Sequence, residues 1–179
     1  MKKEPAIKRA TPAKKEAKVK AEDDANPLDI DGVAHEMLGT RNVTGVYNLS
    51  CPQLEEQLPD EAGNLRLFLC VDNSTIWGGF ALGTKSGVFH IDEVAIDRTI
   101  SFGWRARDSW EDNKLTFGRG CSGEIELFGR EQVRGRFTGL FNEPLAFEGR
   151  RRPGPLWCGR SPYSFQQEWD GFVKEAYVR

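Results

Sequence analysis

His90 and Asp92 stand two residues apart in the run VFHID, with Glu93 directly after. On a strand, residues at that spacing point to one face. A histidine beside a carboxylate is the pair that general-base catalysis uses, the acid orienting the imidazole that takes the proton. The support around it is thin, because the only histidines are His35 and His90 and no nucleophile sits at a recognisable turn. The plainer reading is a polar pair facing solvent at a strand end. A zinc site would need closely spaced ligands. Cys51, Cys70, Cys121 and Cys158 are 19, 51 and 37 residues apart, with no CxxC and no HxxxH. The stretch GRGCSG (118–123) is rich in glycine but lacks the Lys-Ser/Thr ending and following helix of a phosphate loop, so it reads as a tight turn. No metal, cofactor or catalytic residue is expected from these motifs.

Arginine and tryptophan give the other candidates. Arg105 with Arg107, and Arg134 with Arg136, alternate so that each pair shares a strand face, and Arg150, Arg151 and Arg152 cluster. Guanidinium groups on one surface could recognise carboxylates or phosphates bidentately. The plainer alternative is cross-strand pairing with Glu124, Glu126 and Glu148. Trp104 lies on an apolar face and reads as core, whereas Trp77 is either exposed or covered by the C-terminal segment. Trp157, Tyr163, Phe165 and Trp169 are expected to cover the barrel, since an open apolar mouth is a liability. The candidate binding residues are therefore Arg105, Arg107, Arg134, Arg136, Trp77 and Trp110.

The elements that must position these residues are short alternating strands: GVYNLSCP, NLRLFLCVD, TIWGGFALG, SGVFHID, TISFGWRARD, NKLTFGRGC, GEIELFG, QVRGRFTGLF and EPLAFEG. Gly, Asp, Asn or Pro ends each one, the pattern of an all-β barrel or sandwich. Asp72-Asn73 in VDNST signals a hairpin, RDSWEDN (107–113) a longer polar turn and GREQ (129–132) a short one. Leu65, Leu67, Leu69 and Val71 share one side, as do Ile100, Phe102, Trp104 and Ala106. Leu115 with Phe117, Ile125 with Leu127, Val133 with Phe137, and Leu145 with Phe147 repeat the apolar face. Glycines inside strands, among them Gly78, Gly79, Gly103, Gly118, Gly135 and Gly139, read as points of sharp coiling. The fold expected is a small antiparallel up-and-down barrel of eight or nine strands, calycin-like in architecture alone. After Pro153 the pattern changes. Phe165, Trp169, Phe172 and Val173 recur at helical spacing, with Ser164 as a candidate cap and Gly171 arguing against a continuous helix.

Three regions follow: a tail over 1–31, a barrel over 32–152 and a C-terminal extension over 153–179 that packs on the barrel. The tail holds only Ile7, Val19, Leu28 and Ile30 as large aliphatics, too few to offset ordering entropy by burial, and is expected to be disordered. Residues 32–40, GVAHEMLGT, are expected to form a short helix or turn at one end of the barrel. Eight basic residues occupy 1–20, and an acidic patch from Glu22 to Asp31 follows. Removing the eight basic and seven acidic residues of 1–31 from totals of 25 and 27 leaves 17 and 20, a net of −3. That charge does not suit a phosphate-tracking domain. Lys8-Arg9 and Lys14-Lys15 loosely resemble a nuclear localisation signal and fit equally a solubilising extension. Weak, non-specific nucleic-acid contact by this tail is the one such interaction expected. No run of about 18 apolar residues exists to cross a membrane, and no apolar segment follows the first charges as in a secretory signal. Reduced thiols are expected on that basis.

The phrases GVYNLSCPQLEE (45–56), LFLCVD (67–72), WGGF (77–80), FGWRARD (102–108), GCSGEI (120–125) and QEWDG (167–171) resemble a family of uncharacterised fungal proteins. The resemblance covers most of 45–171 and leaves out the basic tail. It implies a fungal source and an intracellular globular domain, and it supplies no functional residues. The function expected is a non-catalytic, intracellular protein-interaction domain, nuclear or cytoplasmic, with a protein partner. One alternative is a calycin-like carrier of a small apolar ligand, and the second is a barrel enzyme using His90. An interior cavity separates the carrier from the interaction domain.

Overall fold

The computed structural model describes residues 43–178, so the expectations for the tail and for GVAHEMLGT lie outside the described residues. Nine strands form one antiparallel sheet: β1 Gly45–Ser50, β2 Arg66–Asp72, β3 Thr75–Leu82, β4 Lys85–Ile91, β5 Thr99–Asp108, β6 Lys114–Thr116, β7 Ser122–Phe128, β8 Gln132–Thr138 and β9 Leu145–Arg151. Eight of them close an up-and-down barrel in the order β1-β2-β3-β4-β5-β7-β8-β9, with β9 returning to β1 through Tyr47↔Arg151 to Ser50↔Glu148. Closure removes the sheet edges that an open sheet of this length would expose. Asn73, at φ 54°, turns β2 into β3 as the Asp-Asn signal predicts.

β5 is ten residues long because it serves two neighbours on one side. Thr99–Gly103 pair with β7, and Ala106–Asp108 pair with β6. Between them, two residues of β5 face the five of 117–121, which loop out with Gly118 and Gly120 at positive φ. The expected strand NKLTFGRGC is therefore cut after Thr116, and the tight turn expected at GRGCSG is what cuts it. PQLEEQ, for which the strand pattern offers no element of its own, forms the short helix α1, Pro52–Gln57. Pro52 supplies its first turn, and Glu55 Oε1 accepts the Cys51 N–H at 2.9 Å. Leu54 of α1 and Leu140 are buried in the barrel cluster, with Leu58 and Phe141 packed against it.

The barrel interior is filled. Tyr47, Leu49, Leu67, Leu69, Ile76, Phe80, Phe89, Phe102, Trp104, Ile125, Leu127, Phe137 and Phe147 belong to one buried cluster. Its rings touch: Phe80–Phe137 centroids are 4.8 Å apart, Phe89–Phe102 4.9 Å and Phe137–Phe147 5.2 Å. Trp104 Nε1 donates to the carbonyls of Ser122 (2.8 Å) and Thr138 (3.1 Å), so its polar atom is satisfied inside. Tyr47 donates its hydroxyl to the Val43 carbonyl at 2.8 Å, and burial holds that phenol above the ordinary tyrosine range.

Several strand glycines serve this packing more than coiling. Gly78 faces Phe89 across the β3–β4 ladder, Gly87 faces Phe80, and Gly135 faces Phe147 across β8–β9. At Gly78 the Phe89 ring occupies the space a Cβ would need, and at Gly87 and Gly135 that space is shared by the ring and a backbone carbonyl, of Arg105 and Glu124 respectively. A flat ring laid over a glycine on the next strand lets large inward side chains fit a narrow barrel.

The second helix, α2, spans Pro162–Val178 without interruption at Gly171. Its cap is Ser161, whose Oγ accepts the Ser164 N–H at 3.2 Å, with Pro162 following. Ser164 instead sits within the first turn and accepts from Arg160. The helix lies along the outer wall, against β2, β3 and β4. Phe165 and Phe172 are fully buried there with Cys70, Val88 and Cys158, and Val46, Phe68, Trp77, Leu115, Phe117 and Trp169 pack around them.

That placement corrects two expectations. Leu115 and Phe117, read as inward, lie on the outer wall beneath α2, because Leu115 pairs with the outward Arg107. Alternation defines two faces, and a covering helix makes both apolar. The C-terminal aromatics cover this wall and not a barrel mouth, and Trp157 and Tyr163 stay exposed.

Candidate functional site: two faces of one barrel

The outer surface divides into a wall that α2 covers and a wall over β7, β8, β9 and β1. Arg105 and Arg107, outward on β5, reach the helix. The Arg105 guanidinium stacks 3.9 Å from the Trp169 ring centroid, and Nη1 donates to the Trp169 carbonyl. Burial beneath the helix draws it below the ordinary arginine value, while Asp170 opposes that shift. Arg107 holds Glu175 with both Nη atoms, at 2.6 and 2.9 Å, and lies 4.6 Å over Phe172. The hydrogen bonds to Glu175 raise its pKa. Trp77 stacks on His90 at 4.1 Å and meets Trp169 edge-on at 6.2 Å. Three of the six candidate binding residues are thus occupied in seating α2.

Arg134 and Arg136 face outward on the other wall. Arg134 donates to Glu126 Oε2 through Nε (3.0 Å) and Nη2 (2.7 Å), and Arg136 Nη2 lies 3.0 Å from Glu124 Oε2. These are directly opposed residues of the β7–β8 ladder, and Glu148 of β9 stands opposite Arg134 on its other side. One row therefore reads Glu126, Arg134, Glu148, Ser50 across four strands. A hollow of about 540 Å³ opens on this wall, lined by Glu124, Glu126, Arg134, Arg136 and Glu148 among others. A second of about 600 Å³ shares Ser50, Arg134 and Glu148 with it and continues to Arg150. Trp110 lies on neither wall; it is 83% exposed in the β5–β6 turn.

His90 Nδ1 is 3.1 Å from Asp92 Oδ1, but Asp92 is 94% exposed, so water competes for the contact that should orient the ring. Glu93 turns away to Arg98, at 2.6 Å. Among the described residues, no group of three or more His, Cys, Asp or Glu side chains could hold a metal ion.

Sequence reasoning missed Glu175 and Arg160 as partners in helix seating, whereas Trp169, expected to cover the barrel, packs on this outer wall. Arg160 lies 4.1 Å over Phe165 and pairs with Glu168 at 2.7 Å. Their signal was an amphipathic C-terminal segment together with the apolar Phe68 on the outward face of the second strand. Among the described residues, no helix is long and apolar enough to cross a membrane. The chain matches no protein-family model and no curated protein sequence.

Proposed function

We propose that the protein is a non-catalytic interaction domain that meets a protein partner on the wall formed by β7, β8, β9 and β1. The observation that carries this reading is the filled barrel, which leaves the outer surface as the place for recognition. A carrier of an apolar ligand needs interior volume, and here Phe80, Phe89, Phe102, Trp104, Phe137 and Phe147 occupy it. The Glu–Arg rows support the choice of wall. Their ion pairs are surface pairs worth about 0–1 kcal/mol, so a partner's charged side chains can exchange with them at little cost. A nuclear or cytoplasmic location with Lys8, Arg9, Lys14 and Lys15 as nuclear-targeting candidates, a fungal source, and weak non-specific nucleic-acid contact by the basic tail complete the proposal as expectations from sequence.

The test is affinity capture from the source organism with the intact chain and with an Arg134→Glu/Arg136→Glu variant, after both give the same thermal melting profile. A protein retained by the first and lost by the second supports the wall. A partner retained equally by both contradicts it.

A further inference from the structure

Cys70 and Cys158 come from segments 88 positions apart in sequence, yet they meet under the start of α2 in the same buried cluster. Cys70 points outward from β2, and Cys158 turns inward from a loop whose residues 152–157 and 159 are exposed. The Cys158 thiol donates to the Arg160 carbonyl at 3.3 Å, and the Cys70 thiol lies within hydrogen-bonding reach of Cys158. Both are free thiols. Cys51, by contrast, sits in the barrel core, where burial and the nearby Glu55 push its thiol up to about 12.

We propose that Cys70 and Cys158 are a redox-sensitive pair, which a hydroperoxide converts to a disulfide that ties the start of α2 to β2. The Cys158 thiolate attacks the peroxide: an S–O bond forms, the O–O bond breaks, and the leaving oxygen departs protonated as water or an alcohol. Cys158 is then a sulfenic acid. The Cys70 sulfur attacks that sulfur, an S–S bond forms, and the hydroxyl leaves as water with the Cys70 proton. Two electrons pass from the sulfurs to the peroxide, and two thiols plus one hydroperoxide give one disulfide, one water and one water or alcohol.

The order of events follows from the surroundings. The hydrogen bond from Cys70 and the amide N–H of Arg160 stabilise a Cys158 thiolate against the burial that opposes it, so its pKa is lowered. Cys70 shifts the other way, chiefly because Cys158 is its hydrogen-bond partner. Cys158 sits in the exposed loop that can open to solvent, whereas Cys70 is fixed on β2 beneath α2, so Cys158 is the attacking thiol and Cys70 the resolving one. Opening the exposed loop gives a small oxidant its path.

The experiment treats the full chain with one equivalent of hydrogen peroxide, alkylates the remaining thiols and maps the peptides by mass spectrometry. A Cys70–Cys158 cross-linked peptide is expected, formed at least about tenfold faster than any oxidation of Cys51 or Cys121, because thiolate character sets the rate. In Cys70→Ser, a dimedone-type probe should label Cys158 as a persistent sulfenic acid. In Cys158→Ser, Cys70 should remain alkylatable. Hydrogen exchange on the oxidised chain should show greater protection of α2 amides. Uncross-linked Cys70 and Cys158 after Cys51 or Cys121 has been oxidised would overturn the proposal. So would Cys70 sulfenylation in the Cys158→Ser chain.

Discussion

Replacing Gly78 with alanine pits two effects of opposite sign against each other. In a strand, alanine for glycine lowers the entropy of the unfolded chain and stabilises by about 0.4–1 kcal/mol where the backbone allows it. At Gly78 the new Cβ would press on Cζ of Phe89 and stand 2.6 Å from both Cε atoms. Carbon atoms pack at about 3.5–4.0 Å, so the ring must retreat by roughly 1 Å or more. It has nowhere to go: Phe89 is fully buried and stacked on Phe102, whose own ring fills the space at Gly123. Overpacking of this kind costs about 1–3 kcal/mol and outweighs the entropic gain. At about 2–4 °C per kcal/mol for a chain this size, a Tm fall of several degrees is expected in a thermal melt. Combining Gly78→Ala with Phe89→Leu should recover part of the loss, with a coupling energy of about 0.5–3 kcal/mol. An unchanged or raised Tm for Gly78→Ala, or strictly additive losses, would refute the account of rings seated on glycines.

Other positions separate the barrel from its helix. Gly171 has open space where a Cβ would go, so Gly171→Ala should stabilise α2 by about 0.5–1 kcal/mol, read as a higher Tm or slower amide exchange in 162–178. Phe165→Ala removes a fully buried anchor worth about 3–5 kcal/mol, and hydrogen exchange should find α2 unprotected while the strands keep their protection. Equal loss in helix and strands would contradict a separately docked helix. The Asp108 carboxyl is held below its ordinary pKa by the Lys85 hydrogen bond at 2.5 Å, aided by the Trp110 N–H. A depressed carboxyl stabilises the fold above the ordinary value near pH 4, and that contribution disappears as pH falls through the folded-state pKa. Asp108→Asn should therefore lower stability at neutral pH and flatten the acid limb below about pH 4; an acid limb identical to the parent chain's would count against the pair.

The barrel was legible because nine runs with period-two alternation and turn residues leave few other folds, and the inward face of β2 and β5 is stated by the sequence itself. Alternation does not say which apolar residues are inside when a helix covers the outer wall. Leu115 and Phe117 were misassigned for that reason, since only their pairing with β5 fixes their side. The helix Pro52–Gln57 escaped notice because six residues offer too little periodicity, and Leu54 alone carries its apolar face. Glycine at 78, 87 and 135 was visible, but its purpose depends on which aromatic faces it across the ladder, and that register is not local information. For the candidate site, alternation puts Arg134, Arg136, Glu124 and Glu126 outward, and the β7–β8 register decides that Glu124 meets Arg136 and Glu126 meets Arg134. The use of Arg105, Arg107 and Trp77 in seating α2 depends on where a distant segment lands.

The central claim is a solid barrel that recognises another protein on its surface. Native mass spectrometry of the protein purified from its own source, compared with its denatured mass, tests that claim most directly. The account predicts the mass of the bare chain, or of the chain with a second polypeptide. A stoichiometric small-molecule mass that disappears on denaturation would contradict it and return the barrel to the carriers or enzymes.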